Sequence, residues 1–259
     1  MPLHSDTRAT QRRYLTSATM NILVRNIPNT ITCINLIAGC LAIVCAMSPD
    51  ACCAGLCGRH WAYICIGIAA IADFCDGLAA RLLHAYSPMG KELDSLCDLV
   101  SFGVAPAMIA FQCMKASPET AAIAPAAIFI AVCGALRLAR FNVDERQTSS
   151  FIGLPIPANA IFWIGLTEII GGNAATLGLV PSLLIILAAS LIMVLPLPMF
   201  SLKFKNLRWQ GNRVRWVMIA TAIALVASLG VGGLMWVIVA YLLLSTANNI
   251  STKQIKNKP

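Results

Sequence analysis

A chain of 259 residues that is 58% hydrophobic and 12% charged, with a mean hydropathy of +0.77, is far from a soluble domain, in which roughly 25% of residues are charged. Its composition excludes a water-soluble enzyme or scaffold and points to an all-α, polytopic membrane helix bundle. The net charge of +8 favours anionic lipid headgroups, and no nucleic-acid partner is needed to explain it.

Residues 1–27 are polar and basic, with no apolar run before a small-residue cleavage site, so they read as a cytoplasmic arm and not as a signal peptide. Residues 20–27 either lie along the membrane interface as a short amphipathic helix or belong to a disordered leader. Residues 28–248 form the membrane domain. Apolar runs at 30–47, 61–83, 93–114, 121–139, 155–171, 176–199, 215–231 and 233–248 predict eight transmembrane helices, and 249–259 form a polar tail. Of the 19 Lys and Arg residues, all but Arg59 and Lys115 fall at one face of that arrangement. The positive-inside bias then sets both termini and the 84–92 turn in the cytoplasm.

Eight of the 11 cysteines lie in apolar runs, where cysteine behaves as a small hydrophobe. Cys52, Cys53 and Cys57 instead fall in the predicted outer loop 48–60 and are placed to form a disulfide in an oxidising compartment. No matching His/Cys set for a metal is evident there. Glu168 falls near the outer end of the fifth predicted span and carries no assigned role.

Four aspartates interrupt the second and third spans. On insertion scales each costs about 2.5–3.5 kcal/mol at mid-membrane, so the group costs on the order of 10 kcal/mol unless something neutralises it. Asp73 and Asp76 are three apart and Asp94 and Asp98 four apart, so each pair shares a helix face. The intervening turn contains Ser87, Pro88 and Gly90, which predicts antiparallel neighbours. Folding about that turn sets Asp76 level with Asp94, and Asp73 level with Asp98. Converging hard oxygen ligands suit Mg²⁺ or Mn²⁺, with two ions as the natural arrangement. Gly77 and Ala80 leave room for a ligand beside the helix, and Arg81 offers a fork of donors to phosphate. Read singly, the small residues could be helix contacts and Arg81 an interfacial anchor.

These residues form the pattern D-x2-D-G-x2-A-R-x8-G-x3-D-x3-D, from Asp73, Asp76, Gly77, Ala80 and Arg81 through Gly90 to Asp94 and Asp98. In all eight fixed positions the chain resembles the CDP-alcohol phosphotransferase family. The blocks P-N-T-I-T-C-I-N (28–35), D-S-L-C-D-L-V-S-F-G-V-A-P-A (94–107), A-L-R-L-A-R-F-N (135–142), G-L-P-I-P-A (153–158) and P-M-F-S-L-K-F-K (198–205) are similar to membrane-embedded bacterial phosphatidylserine synthases. The resemblance implies transfer of a phosphatidyl group from CDP-diacylglycerol to L-serine, with CMP released, in a homodimer of the bacterial inner membrane. It further implies that Asp73, Asp76, Asp94 and Asp98 hold the metal, and that Asp98 is also the general base. Asn29, Thr32, Gly77, Ala80, Arg81 and Gly90 would contact CDP-diacylglycerol. A serine pocket needs a cation near the metals; Arg137 and Arg140 are the candidates, supported by Ser101 and Asn142, although interfacial anchoring explains the arginines equally well.

The nearest rival is a transferase of the same family acting on glycerol phosphate, inositol phosphate or choline. A divalent-cation transporter is a remoter one, because intramembrane acids also mark ion paths. Against it stand the grouping of the acids with an arginine on one hairpin and the lack of an apparent inverted repeat.

Overall fold

The computed structural model describes residues 5–143, 151–172, 177–199 and 212–256. The chain opens with a 43-residue helix, α1 (Ser5–Met47), which crosses the expected boundary at residue 27 without a break and carries Pro28 inside it. A two-residue hairpin, β1 (Cys52–Cys53) and β2 (Leu56–Cys57), turns the chain into α2 (Gly58–Leu82). Ser87 then caps α3 (Pro88–Asp98), its Oγ accepting the Gly90 N–H at 2.9 Å, with Pro88 in the first turn where its missing N–H costs nothing.

Beyond α3 the helix widens into a π-helical stretch, Leu99–Val104, before tightening again as α4 (Ala105–Lys115). Pro106 explains the widening. It has no N–H to give the Phe102 carbonyl and its ring crowds that carbonyl, while the Ala105 N–H reaches back five residues to Val100. A 3₁₀ segment, Ala121–Ala127, leads into α5 (Ile128–Val143). Next come β3 (Phe151–Ile152), α6 (Ile156–Gly172), α7 (Leu179–Val194), β4 (Pro198–Met199), α8 (Arg213–Leu229) and α9 (Gly233–Lys256). β3 pairs antiparallel with β4, so the bundle is all-α apart from two minimal bridges.

Five stretches of the described residues are long and apolar enough to cross a membrane: Asn26–Met47, Gly58–Leu82, Pro88–Lys115, Ala121–Val143 and Arg213–Ala247. The expectation of eight spans is therefore corrected to about five. Two of the expected spans are α6 and α7, helices of 17 and 16 residues bounded by Pro155, Gly178 and Pro196. At about 1.5 Å per residue they fall short of a core of about 30 Å. The last two expected spans belong to the single apolar stretch Arg213–Ala247, in which the chain turns at Gly230, where φ is +59°, and α8 packs against α9.

The core is built from small side chains that let helices approach closely. Ala42, Ala62, Ala69, Ala105, Ala127 and Ala160 are fully buried. α1 lies along α2 and also meets α3, the π turn and α4, while α6 packs on α9 and α5 on α7. At Gly39, α1 comes so close to the π turn that a Cβ there would overlap Ser101. Large apolar side chains cover the outside, among them Ile37, Val44, Ile71 and Phe74, each more than half exposed, as expected of a surface facing lipid.

Candidate active site: an acidic cluster walled by three helices

The carboxylates of Asp73 and Asp76 on α2 and Asp94 on α3 converge, offering ligand oxygens that all lie within 4.8 Å of one another. The hairpin expectation is met in this respect and modified in another: α2 and α3 each pack along α1 far more than on each other. That leaves a gap lined by acids and closed on its third side by α1. Two carboxylate oxygens, Asp76 Oδ2 and Asp94 Oδ1, are buried without any hydrogen-bond partner. Buried anionic oxygens without donors are costly, and a hard divalent cation is the partner that this donor set fits.

Asp98 stands outside that three-residue cluster. Its Oδ1 instead accepts a hydrogen bond from Asn35 Nδ2 on α1 at 3.0 Å. Asn35 Oδ1 accepts in turn from Ser101 Oγ at 2.6 Å, and the same hydroxyl lies 3.0 Å from the Asn35 carbonyl oxygen. Asn35 and Ser101 have no exposed surface. Ser101, expected beside a serine pocket, is thus committed to holding Asn35, and Asn35 is a site residue that the sequence reading passed over. Its signal was present: a lone amide in an apolar run, three residues after Thr32, must find a partner.

Beside the cluster opens a cavity of about 200 Å³ whose walls include Asn29, Thr32, Asp76, Gly77, Gly90 and Asp94. Ala80 and Lys91 also line it. A Cβ on Gly90 would lie 2.9 Å from Asn29 Oδ1 and 3.0 Å from Ser87 Oγ, so glycine keeps this wall open. Arg81 does not line the cavity; its Nε donates to the Gly77 carbonyl at 2.9 Å. Lys91 Nζ donates to the Asn142 carbonyl at 2.9 Å, and Asn142 Nδ2 donates to Ser95 Oγ at 2.9 Å, tying the end of α5 to α3.

Arg137 is 9% exposed, sits 5.3 Å from the centre of the Phe141 ring and lies within electrostatic reach of Asp98. Arg140 goes elsewhere, donating to the Val194 carbonyl at the end of α7 at 2.9 Å. Of the two expected cations, Arg137 is therefore the one near the acids. The block 198–205 falls mostly outside the described residues. A larger cavity, about 280 Å³, opens at the opposite ends of the helices beside Pro49, Arg59, Gln112 and Thr120. None of the four aspartates lines it, so size alone does not locate the acidic chemistry.

A profile of the CDP-alcohol phosphatidyltransferase family matches residues 25–227. A CDP-diacylglycerol–serine O-phosphatidyltransferase of Bacillus subtilis is 41% identical over 131 residues, covering 51% of this chain and 69% of that protein. One of the same name from Methanocaldococcus jannaschii is 36% identical over 144 residues, 56% of this chain and 61% of that protein. Another, from Helicobacter pylori, is 44% identical over 93 residues, covering 35% and 39% respectively. The last two are thus matched over less than two thirds of their length.

Proposed function

The chain belongs to the CDP-alcohol phosphatidyltransferase family of enzymes, and from that premise we propose that it transfers the phosphatidyl group of CDP-diacylglycerol to L-serine, giving phosphatidylserine and CMP. The observation that carries this reading is the convergence of Asp73, Asp76 and Asp94, with two buried oxygens lacking partners, beside a cavity of about 200 Å³. A divalent cation bound there, Mg²⁺ or Mn²⁺ as one or two ions, supplies charge neutralisation of the diphosphate and of the departing CMP.

The chain's own residues account for the rest. Asn29, Thr32, Gly77, Ala80 and Gly90 line the nucleotide groove. Arg81 supplies phosphate donors once its side chain leaves the Gly77 carbonyl. Asp98 receives the proton of the serine hydroxyl as oxygen attacks phosphorus and the bond to CMP breaks. Asn35, donating to one Asp98 oxygen, turns the other towards the acceptor. Arg137, a buried cation near Asp98, pairs with the serine carboxylate. Asn142 supports α3 at the pocket's edge, and Arg140 anchors α5 to α7. The acyl chains stay in lipid beside the open gap, which accounts for a site at membrane depth.

We assign the protein to the inner membrane of a bacterium, as a homodimer with the N-terminus and the acidic cluster on the cytoplasmic side; the distribution of Lys and Arg around the first two spans supports that orientation. Serine is favoured over other alcohols because the relatives named above carry it in their names. The test is to incubate purified protein with CDP-diacylglycerol, Mg²⁺ or Mn²⁺ and, separately, serine, glycerol phosphate, inositol phosphate and choline. CMP release with serine alone, with labelled serine entering the lipid, is the expected result. Release with a different alcohol would replace the acceptor, and release with none would overturn the reaction.

A further inference from the structure

At the other end of α2, about 24 Å along the helix from the aspartates at 1.5 Å per residue, a second group of reactive side chains comes together. Cys57 Sγ lies 3.0 Å from His60 Nδ1. His60 Nε2 lies 3.4 Å from Glu168 Oε1, and Arg59 Nε lies 3.8 Å from Glu168 Oε2. The carboxylate can only accept, so Nε2 carries the imidazole proton and Nδ1 is left free to accept from the thiol. The edge of the Tyr63 ring packs against the imidazole, 5.9 Å between centroids. This is a nucleophile, a base and an orienting acid in sequence, joining β2, α2 and α6.

Across the hairpin stands a second thiol. Cys52 faces Cys57 in the β1–β2 register, and Cys53 faces Leu56. Ala54 and Gly55 form the two-residue turn, with φ of 50° and 80°, the pattern of a type I′ hairpin. The Cys53–Leu56 pair flanking such a turn exchanges hydrogen bonds; the next pair outward is the non-hydrogen-bonded kind, with Cα atoms about 4.5 Å apart, inside the range that a disulfide spans. Trp61 Nε1 fixes the hairpin on α2 by donating to the Cys53 carbonyl at 2.9 Å. Cys52 is exposed and Cys57 half-buried, and none of the three loop cysteines is disulfide-bonded.

We propose that this hairpin is a thiol–disulfide exchange site, with Cys57 the attacking thiol, His60 its proton acceptor, Cys52 the resolving thiol and low-molecular-weight disulfides the substrate. The Cys57 proton passes to His60 Nδ1 and the thiolate attacks one sulfur of the incoming disulfide, whose S–S bond breaks. His60 returns that proton to the first small thiolate as it leaves, and Cys57 carries a mixed disulfide. Cys52 then attacks Cys57 Sγ, the bond to the second small sulfur breaks, and that sulfur leaves as a thiol with the Cys52 proton as the Cys52–Cys57 bond closes. Two protein thiols are oxidised while one small disulfide is reduced to two thiols.

The test treats the reduced full-length protein in detergent with oxidised glutathione and maps all cysteines by peptide mass over time. The expected result is a Cys52–Cys57 disulfide in the wild type and a glutathione adduct confined to Cys57 in Cys52→Ser. His60→Gln should slow modification of Cys57 by roughly tenfold or more, in keeping with loss of a general base. Glu168→Gln, which leaves the imidazole in place but no longer fixes its tautomer, should slow it less. Cys53, exposed on the same hairpin, is the internal reference. Modification of Cys53 as fast as Cys57, a disulfide that includes Cys53, or an unchanged rate in both variants would overturn the proposal.

Discussion

Replacing Asn35 by alanine would strip Asp98 of the donor that fixes it and leave the Ser101 hydroxyl with only the backbone carbonyl of residue 35 to bond. Losing one partner of a buried polar pair costs about 1–3 kcal/mol, and here the stranded group is the proposed base. Asn35→Ala should therefore lower thermal stability and reduce kcat by roughly tenfold, because a mispositioned base loses part of a contribution of about 10²–10⁴. Comparing CMP release with the melting temperature checks both effects. A fall in stability alone would make Asn35 a packing residue. Gly90→Ala acts on binding instead: its Cβ would press on Asn29 Oδ1 and Ser87 Oγ, so the KM for CDP-diacylglycerol should rise several-fold with kcat nearly kept.

Three close approaches between elements shape the site: α1 on α2, α1 on the π turn, and α5 on the π turn. Gly39 allows the second, and Gly134, where a Cβ would press on Ile156 and lie 3.8 Å from the Gly103 Cα, allows the third. Gly39→Leu should push α1 off Ser101 and carry Asn35 away from Asp98. Overpacking of this kind costs about 1–3 kcal/mol, and activity should fall further than stability does. Pro106 is testable at the same scale. Pro106→Ala restores the N–H that the Phe102 carbonyl lacks and favours regular α-helix over Leu99–Val104. Regular winding would rotate Ser101 and the residues beyond it relative to Asp98, so this variant should melt at or above the wild-type temperature while losing most of its activity.

The elements differ in how far the sequence discloses them. The α2–α3 reversal was legible from Ser87, Pro88 and Gly90, because N-capping and proline placement are local rules, and the sharing of faces by the aspartate pairs follows from helix period alone. The separation of Asp98 from the other three carboxylates was not legible. It depends on a contact with Asn35, 63 positions away in the chain, which helix spacing does not contain. The meeting of His60 with Cys57 and Glu168 was missed for a similar reason, since Glu168 lies on a helix 108 positions on.

For the whole molecule, hydropathy disclosed the class but not the span count, because apolar character does not distinguish a helix long enough to cross from one that is too short. α6 and α7 show this, both strongly apolar and both short. The proposed orientation gives a direct prediction: a membrane-impermeant maleimide added to intact cells should label Cys52 or Cys53, while a cysteine introduced at Ser87 should react only after lysis. Reversal of that pattern would invert the topology.

The claim on which the rest depends is that Asp73, Asp76 and Asp94 form a cation site within the membrane bundle. Its most direct test is Mn²⁺ titration of the full-length protein in detergent, followed by electron paramagnetic resonance, with Asp76→Asn and Asp94→Asn alongside. The account predicts saturable Mn²⁺ binding, weakened roughly tenfold to a hundredfold or more in either variant without loss of helical signal, and displaced by Mg²⁺. Wild-type affinity retained in both folded variants would contradict it.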